Sequence, residues 1–149
     1  MIEEKEQIQR FMASLREIRK LMDQVIRVIA TEMDSTPLQL FVLSYLGKNP
    51  DQSLKHLADE LKVSNSTMSG VVDRLVQSNL VKRDRSSEDR RVLVMNLTEE
   101  GKDKQNQFKD FFYKRLEEVE QLPEEDMETL LSLHQKVIAQ IKKGSLTHE

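Results

Sequence analysis

The sequence predicts a mainly α fold with a small β-wing, an α+β protein in which a winged helix-turn-helix is flanked by N- and C-terminal dimerisation helices. Three observations predict it. Residues 53–77 read as two short amphipathic helices joined by a tight turn, residues 81–97 read as two strands around an arginine-rich tip, and long helices with apolar stripes stand on either side. At 149 residues the chain is expected to be one domain, 1–149, large enough for a proper core. Within it, residues 1–34 and 122–144 are the expected dimerisation helices, 36–97 the winged helix-turn-helix and 98–121 a connecting helix.

The first helix runs over residues 4–31 without Gly or Pro. Ile8, Phe11, Leu15, Ile18, Met22, Val25 and Ile29 fall at alternating spacings of three and four, a heptad-like stripe that Met12, Leu21, Ile26 and Val28 widen. At 1.5 Å per residue such a helix spans about 42 Å, too long for a domain of this size to cover alone. It is therefore expected to pack against a second chain.

Asp34-Ser35-Thr36-Pro37 ends that helix and starts the next, with Thr36 as N-cap and Pro37 in the first helical position. The run Leu38 to Leu46, with Leu40, Phe41, Leu43 and Leu46, is expected to be core scaffold. Gly47 to Asp51 reads as a loop.

Ser53 caps the third helix, which places Leu54, Leu57, Ala58 and Leu61 on one stripe, and Lys62-Val63 make the turn. Ser64 caps the fourth, in which Met68, Val71, Val72 and Leu75 face inward. Its outer, N-terminal surface carries Asn65, Ser66, Thr67 and Ser69. Side chains this short and polar can approach base edges and phosphates in a major groove, although Ser and Thr crowd ordinary helix starts as well. Asn79 is suited to a left-handed residue just past the helix end.

Val81 to Arg85 then reads as a strand carrying Lys82, Arg83 and Arg85, and Val92 to Leu97 as a strand with Leu93, Met95 and Leu97 on one face. Between them Ser86 to Arg91 has no apolar side chain. Arg90 and Arg91 at a hairpin tip suit a narrow, electronegative minor groove; the plainer reading is a solvated turn with an Asp89–arginine ion pair.

After the wing, Thr98 caps a helix with Glu99 and Glu100 in its first turn, expected to continue to about Gln121 through Phe108, Phe111, Phe112, Leu116 and Val119. Leu122-Pro123 interrupts it. The last helix carries Met127, Leu130, Leu131, His134, Val137, Ile138 and Ile141 on one side and ends near Gly144. His134 on that face reads as a satisfied buried or interfacial histidine.

Composition narrows the function. There is no cysteine, hence no disulfide or thiol switch, and the three histidines are scattered, so neither a metal nor another cofactor is expected. No Gly-rich phosphate loop and no Ser/His/Asp arrangement marks an enzyme. The opening Met1-Ile2-Glu3-Glu4 has no basic segment before a long apolar run, so a soluble cytoplasmic protein without membrane association is expected. Net charge is −3, but residues 53–95 hold eight Lys/Arg against six Asp/Glu, or +2, leaving −5 for the rest. Five of those eight cations, Lys82, Arg83, Arg85, Arg90 and Arg91, lie within the hairpin, and clustering decides a local field.

The segment DRLVQSNLVKRDRSSEDRRVLVMNLTEEG, Asp73 to Gly101, resembles the signature of the MarR family of bacterial transcription regulators: Asp-Arg-Leu late in the recognition helix, a Leu-Val step into the wing, Asp-Arg-Arg at the wing and Leu-Thr-x-x-Gly opening the next helix. The helical pattern agrees over essentially the whole chain. The resemblance implies a homodimer with the terminal helices as dimerisation domain, bound to double-stranded DNA at a pseudo-palindromic operator. It implies major-groove contacts by Ser64, Asn65, Ser66, Thr67 and Ser69, a minor-groove arginine at Arg90 or Arg91, and Asp89 supporting that arginine. Arg74 either touches phosphate or braces the wing. Gly70 departs from the family, whose members often carry a larger polar residue there: either DNA approaches closely or a base contact is missing. Asn79 replaces the usual glycine at the helix end.

Family members commonly respond to a small, often aromatic anion or to cysteine oxidation; the second route is closed here. A ligand cleft could draw on Arg10, Arg16, Arg19, His56 or Tyr113. The expected function is thus a sequence-specific DNA-binding repressor released by a small-molecule effector, against a winged-helix adaptor that binds protein.

Overall fold

The computed structural model describes residues 2–145. The order is α1 (Ile2–Glu32), α2 (Pro37–Lys48), α3 (Leu54–Glu60), α4 (Asn65–Gln77), β1 (Val81–Arg85), β2 (Leu93–Leu97), α5 (Glu99–Arg115), α6 (Glu117–Glu120) and α7 (Glu124–Ser145). Two compact units result: one reaches to Phe112, the other begins at Tyr113. Among the described residues no helix is long and apolar enough to cross a membrane.

In the first unit only the end of α1 joins the core, through Ile29, Ala30 and the following Met33. Upstream, Ile8, Met12, Ile18, Leu21 and Val28 stay exposed on the protomer. The start of α2 is held by a reciprocal pair: the Gln39 amide N–H donates to Thr36 Oγ1, and the Thr36 N–H donates to Gln39 Oε1, both at 3.2 Å. Leu40, Val42, Leu43 and Leu46 of α2 are buried. Two expectations are corrected here. Phe41 is exposed, because it lies on the face of α2 opposite Leu40 and Leu43. Gly47 and Lys48 are helical rather than loop, and a Cβ on Gly47 would stand 3.1 Å from the end of the Gln105 side chain of α5.

The helix-turn-helix follows its caps. Ser53 Oγ accepts from the His56 amide at 3.2 Å and Ser64 Oγ from the Thr67 amide at 3.0 Å. Between them Lys62 takes φ 55°, letting the Val63 N–H return to the Ala58 carbonyl at 3.0 Å. Asn79 does the same after α4, with φ 57° and the Leu80 N–H on the Leu75 carbonyl at 2.9 Å. Leu57 and Ala58 of α3 and Met68, Val72 and Leu75 of α4 are buried against Leu40, Leu43, Val81 and Met95.

β1 and β2 pair antiparallel, Val81 with Leu97 through Arg85 with Leu93. A third segment joins them, since Gln52 bridges Met95 by two backbone hydrogen bonds of 2.7 and 3.4 Å. The expected inward face of β2 holds for Met95 and Leu97 but not for Leu93, which is exposed at the distal end of the ribbon, whereas Val94 is buried on the other face. α5 is locked to the end of α4: Thr98 Oγ1 donates to the Asn79 carbonyl at 2.6 Å, and a Cβ on Gly101 would stand 1.9 Å from the Leu80 carbonyl oxygen. Only glycine fits there, which gives the glycine of Leu-Thr-x-x-Gly its physical reason. Phe108 is buried in the same core.

The expected continuous helix to Gln121 breaks at Leu116, where α5 gives way to the short α6. Leu116 is half-buried and Val119 exposed, so the spacing for burial does not carry across the break. In the second unit α7 has no buried residue. Leu130, Leu131, Leu133, Ile138 and Ile141 are exposed on it, and His134 is half-buried.

Candidate nucleic-acid interface

The first turns of α4 lie at the surface: Asn65, Ser66 and Thr67 are exposed and Ser69 is half-buried. Ser64 is committed to the cap, because besides accepting the Thr67 amide its hydroxyl donates to Thr67 Oγ1 at 2.9 Å. The outward stripe continues through Gly70, Arg74 and Gln77. A Cβ on Gly70 would meet nothing within 4 Å. Arg74 is exposed and makes no ion pair among the described residues.

The structure divides the five basic side chains of the hairpin by role. Arg83 pairs with Asp73 of α4, tying the wing strand to the recognition helix. Arg85 donates to the Arg90 carbonyl at 3.3 Å and closes the wing loop. Asp89 holds Arg91 in a fork: Oδ1 accepts from Nε at 3.1 Å and from the Arg91 backbone N–H at 3.1 Å, and Oδ2 accepts from Nη2 at 3.2 Å. These hydrogen bonds keep the Asp89 carboxyl below the usual aspartate range. Arg90 is exposed and its side chain has no partner among the described residues. Lys82 sits on the opposite ribbon face, paired in register with Asn96, where with Lys102 it borders a shallow depression of about 500 Å³ between α2, the ribbon and α5. Val92 and Leu93 are 40% exposed beside the wing arginines.

Sequence reading missed Asp73 as the partner of Arg83, and it missed Asn96. The Asn96 side chain accepts from the Asp51 backbone N–H at 2.7 Å and donates to Asp51 Oδ1 at 2.7 Å and to Asp84 Oδ2 at 3.1 Å. The one available signal was an amide interrupting the apolar run of β2; its partner lies 45 residues away.

The residues proposed for a ligand cleft are dispersed. Arg10 lies along α1 beside Glu3, Glu6 and Gln7, while Arg16 and Arg19 are exposed on the same helix. His56 Nε2 is hydrogen-bonded to the Tyr45 hydroxyl at 3.1 Å and stands 3.9 Å from Glu60. Tyr113 belongs to the second unit and is exposed.

A helix-turn-helix whose second helix presents short polar side chains, followed by a two-stranded ribbon, defines the winged-helix class. Residues 35–93 match the model of the MarR family. It is 41% identical over 66 residues to the HTH-type transcriptional repressor MdtR of Bacillus subtilis strain 168, an alignment spanning 44% of this chain and 43% of the repressor. The chain thus spans less than half the length of that relative. The fold is similar to a MarR family protein from Bacillus stearothermophilus, with a TM-score of 0.82 at 23% identity over 93% of this chain and 97% of that one. It is also similar to YusO protein from Bacillus subtilis, with a TM-score of 0.68 at 26% identity over 91% and 96%.

Proposed function

We propose that this chain is a DNA-binding transcriptional regulator, a homodimeric repressor that places α4 of each protomer in the major groove of a pseudo-palindromic operator and a wing arginine in the flanking minor groove. The observation that carries the reading is the pairing of an exposed, short-chained start of α4 with a wing whose tip offers one guanidinium pinned by Asp89, Arg91, and one without a partner among the described residues, Arg90. Asn65, Ser66 and Ser69 are the base-facing candidates, with Thr67 and Ser64 shaping the helix start. Arg74 then serves phosphate, Arg83 and Arg85 brace the wing, and Lys82 lies outside the contact.

The exposed stripes of α1 and α7 support dimerisation, since a monomer would leave both to water. A small aromatic or anionic effector completes the proposal. Charge favours the depression bordered by Lys82 and Lys102 over the one near the end of α1, which is lined by Glu32, Asp34, Glu100 and Asp103 with a single Lys104.

The test is binding of the purified protein to DNA upstream of its own gene at two salt concentrations, against a scrambled competitor of equal length. Competitor-resistant binding that weakens steeply with salt supports the reading, and equal weak binding to both DNAs contradicts it. The exposed Val92 and Leu93 favour a second reading, a winged-helix adaptor docking a protein partner through an apolar wing. In that case Arg90→Ala and Arg91→Ala leave function intact while Leu93→Ser abolishes it.

A further inference from the structure

The wing is gripped on both faces. On the α4 side the grip is the Arg83–Asp73 ion pair. On the other side it is a single neutral amide, Asn96, set between two carboxylates. Both of its N–H groups are used, one on Asp51 and one on Asp84, and its oxygen takes the Asp51 backbone N–H. Asp51 itself is in the left-handed region at φ 60°, and the next residue, Gln52, bridges β2. Asp84 is the last residue but one of β1, immediately before the point at which the ribbon gives way to the wing loop. One side chain therefore joins the segment between α2 and α3 to the root of the wing.

We infer that Asn96 is the positioning residue of the wing: by satisfying Asp51 and Asp84 at once it fixes the direction in which loop 86–92 leaves the domain, and so the distance between the Arg90 tip and α4. This rests on the proposed DNA reading, because that distance matters only if helix and wing engage two grooves together. The chemistry requires an amide. Alanine leaves two carboxylates facing one another with no donor between them, and aspartate adds a third negative charge at the same point; either loosens the root by like-charge repulsion. A wing that must then be ordered on binding weakens the complex by about tenfold.

The absence of native cysteine makes the test direct. Spin labels on the full-length protein, one in the wing at Ser87→Cys and one on α4 at Gln77→Cys, report the wing-to-helix distance when the labelled chain is diluted into excess unlabelled chain. Asn96→Ala and Asn96→Asp should broaden a narrow distance distribution, and Asp84→Asn added to Asn96→Asp should narrow it only in part, because the new amide at 84 donates to the carboxylate at 96 while the carboxylates at 96 and 51 still face one another without a donor. Asp51→Ala, which removes one acceptor only, should broaden it less and serves if the Asn96 variants do not fold. On operator DNA the Asn96 variants should lose minor-groove protection at the flanks while the central major-groove protection persists. An unchanged distribution overturns the assignment, as does a broadened one with flank protection intact. If the parent protein binds no DNA specifically, the proposed function fails, and the distance measurement still decides whether Asn96 sets the wing.

Discussion

Asp89 and Arg91 form a closed fork at the wing tip, with both carboxylate oxygens engaged and the Arg91 backbone N–H included. Arg90, its neighbour, has no side-chain partner among the described residues. The two arginines that look equivalent in the sequence therefore differ in what their loss would do. Arg90→Ala removes a cation and nothing else: thermal stability should change by less than about 0.5 kcal/mol, while operator affinity falls and the salt dependence becomes shallower by about one charge. Arg91→Ala removes a cation and also unmasks the Asp89 carboxylate toward DNA. Its affinity loss should exceed that of Arg90→Ala, and adding Asp89→Ala should recover part of it. Fluorescence titrations of the parent and the three variants at two salt concentrations check the order; equal losses for the two arginines would contradict the fork as a functional element.

The fork also fixes a pH response. Hydrogen bonds from the Arg91 side chain and backbone hold the Asp89 carboxyl below the usual aspartate range. A carboxyl whose folded value is depressed contributes stability that is fully present above its unfolded value and is lost as pH falls through the folded one. The wing should thus stay pinned through mildly acidic pH and loosen only below the ordinary aspartate range. A carbon-13 titration of the Asp89 carboxyl should give a midpoint under that of an unstructured aspartate, moving back up in Arg91→Ala.

Gly70 has no reason in the fold. Its φ is not positive, and a Cβ would meet no neighbour within 4 Å. A glycine inside an exposed helix costs about 1 kcal/mol relative to alanine. Gly70→Ala should accordingly raise the unfolding free energy by about that amount, measured by urea denaturation. Operator affinity then separates the two readings of this position: a fall marks close approach of the helix backbone to DNA, and no change marks a missing contact.

Gly101 is the opposite case. The Leu80 carbonyl oxygen would stand 1.9 Å from an added Cβ, and both partners are backbone, held by the Thr98 bonds to residues 79 and 80. Gly101→Ala should destabilise by about 3 kcal/mol or more, because α5 must move off the end of α4. A variant as stable as the parent would mean that this junction is softer than its hydrogen bonds indicate.

The apolar stripe of α7 supplies a test of dimerisation. Leu131→Glu combined with Ile141→Glu puts two charges on a face that is exposed on the protomer and that the proposed dimer would bury. Sedimentation should show a dimer for the parent chain and a monomer for the double variant, with DNA affinity lost in parallel. Dimerisation untouched by both charges would place the interface elsewhere.

Much of this protein is written in local chemistry. Thr36-Pro37, Ser53 and Ser64 set helix starts through bonds that reach only three residues ahead, and Asn79 sets a helix end through its tolerance of positive φ. The periodicities of 3.6 and 2 placed Leu57, Met68, Val72 and Leu75 inside, because within one element the pattern alone decides which face is apolar. Signals of this kind were enough to read the order of the elements, the helix-turn-helix and the identity of the wing. What they could not reach was partnership between segments. Nothing near Arg83 says that Asp73 will pair with it, and nothing near Leu93 says that the ribbon outruns the core there, since both facts depend on where α4 ends up against β1. The break at Leu116 and the extension of α2 through Gly47 were equally out of range, the second because Gly47-Lys48-Asn49-Pro50 carries the local signals of a loop. Asn96 is the clearest instance: an amide in a strand has no assigned role until folding brings Asp51 and Asp84 to it, and only then do two like charges need a neutral donor between them.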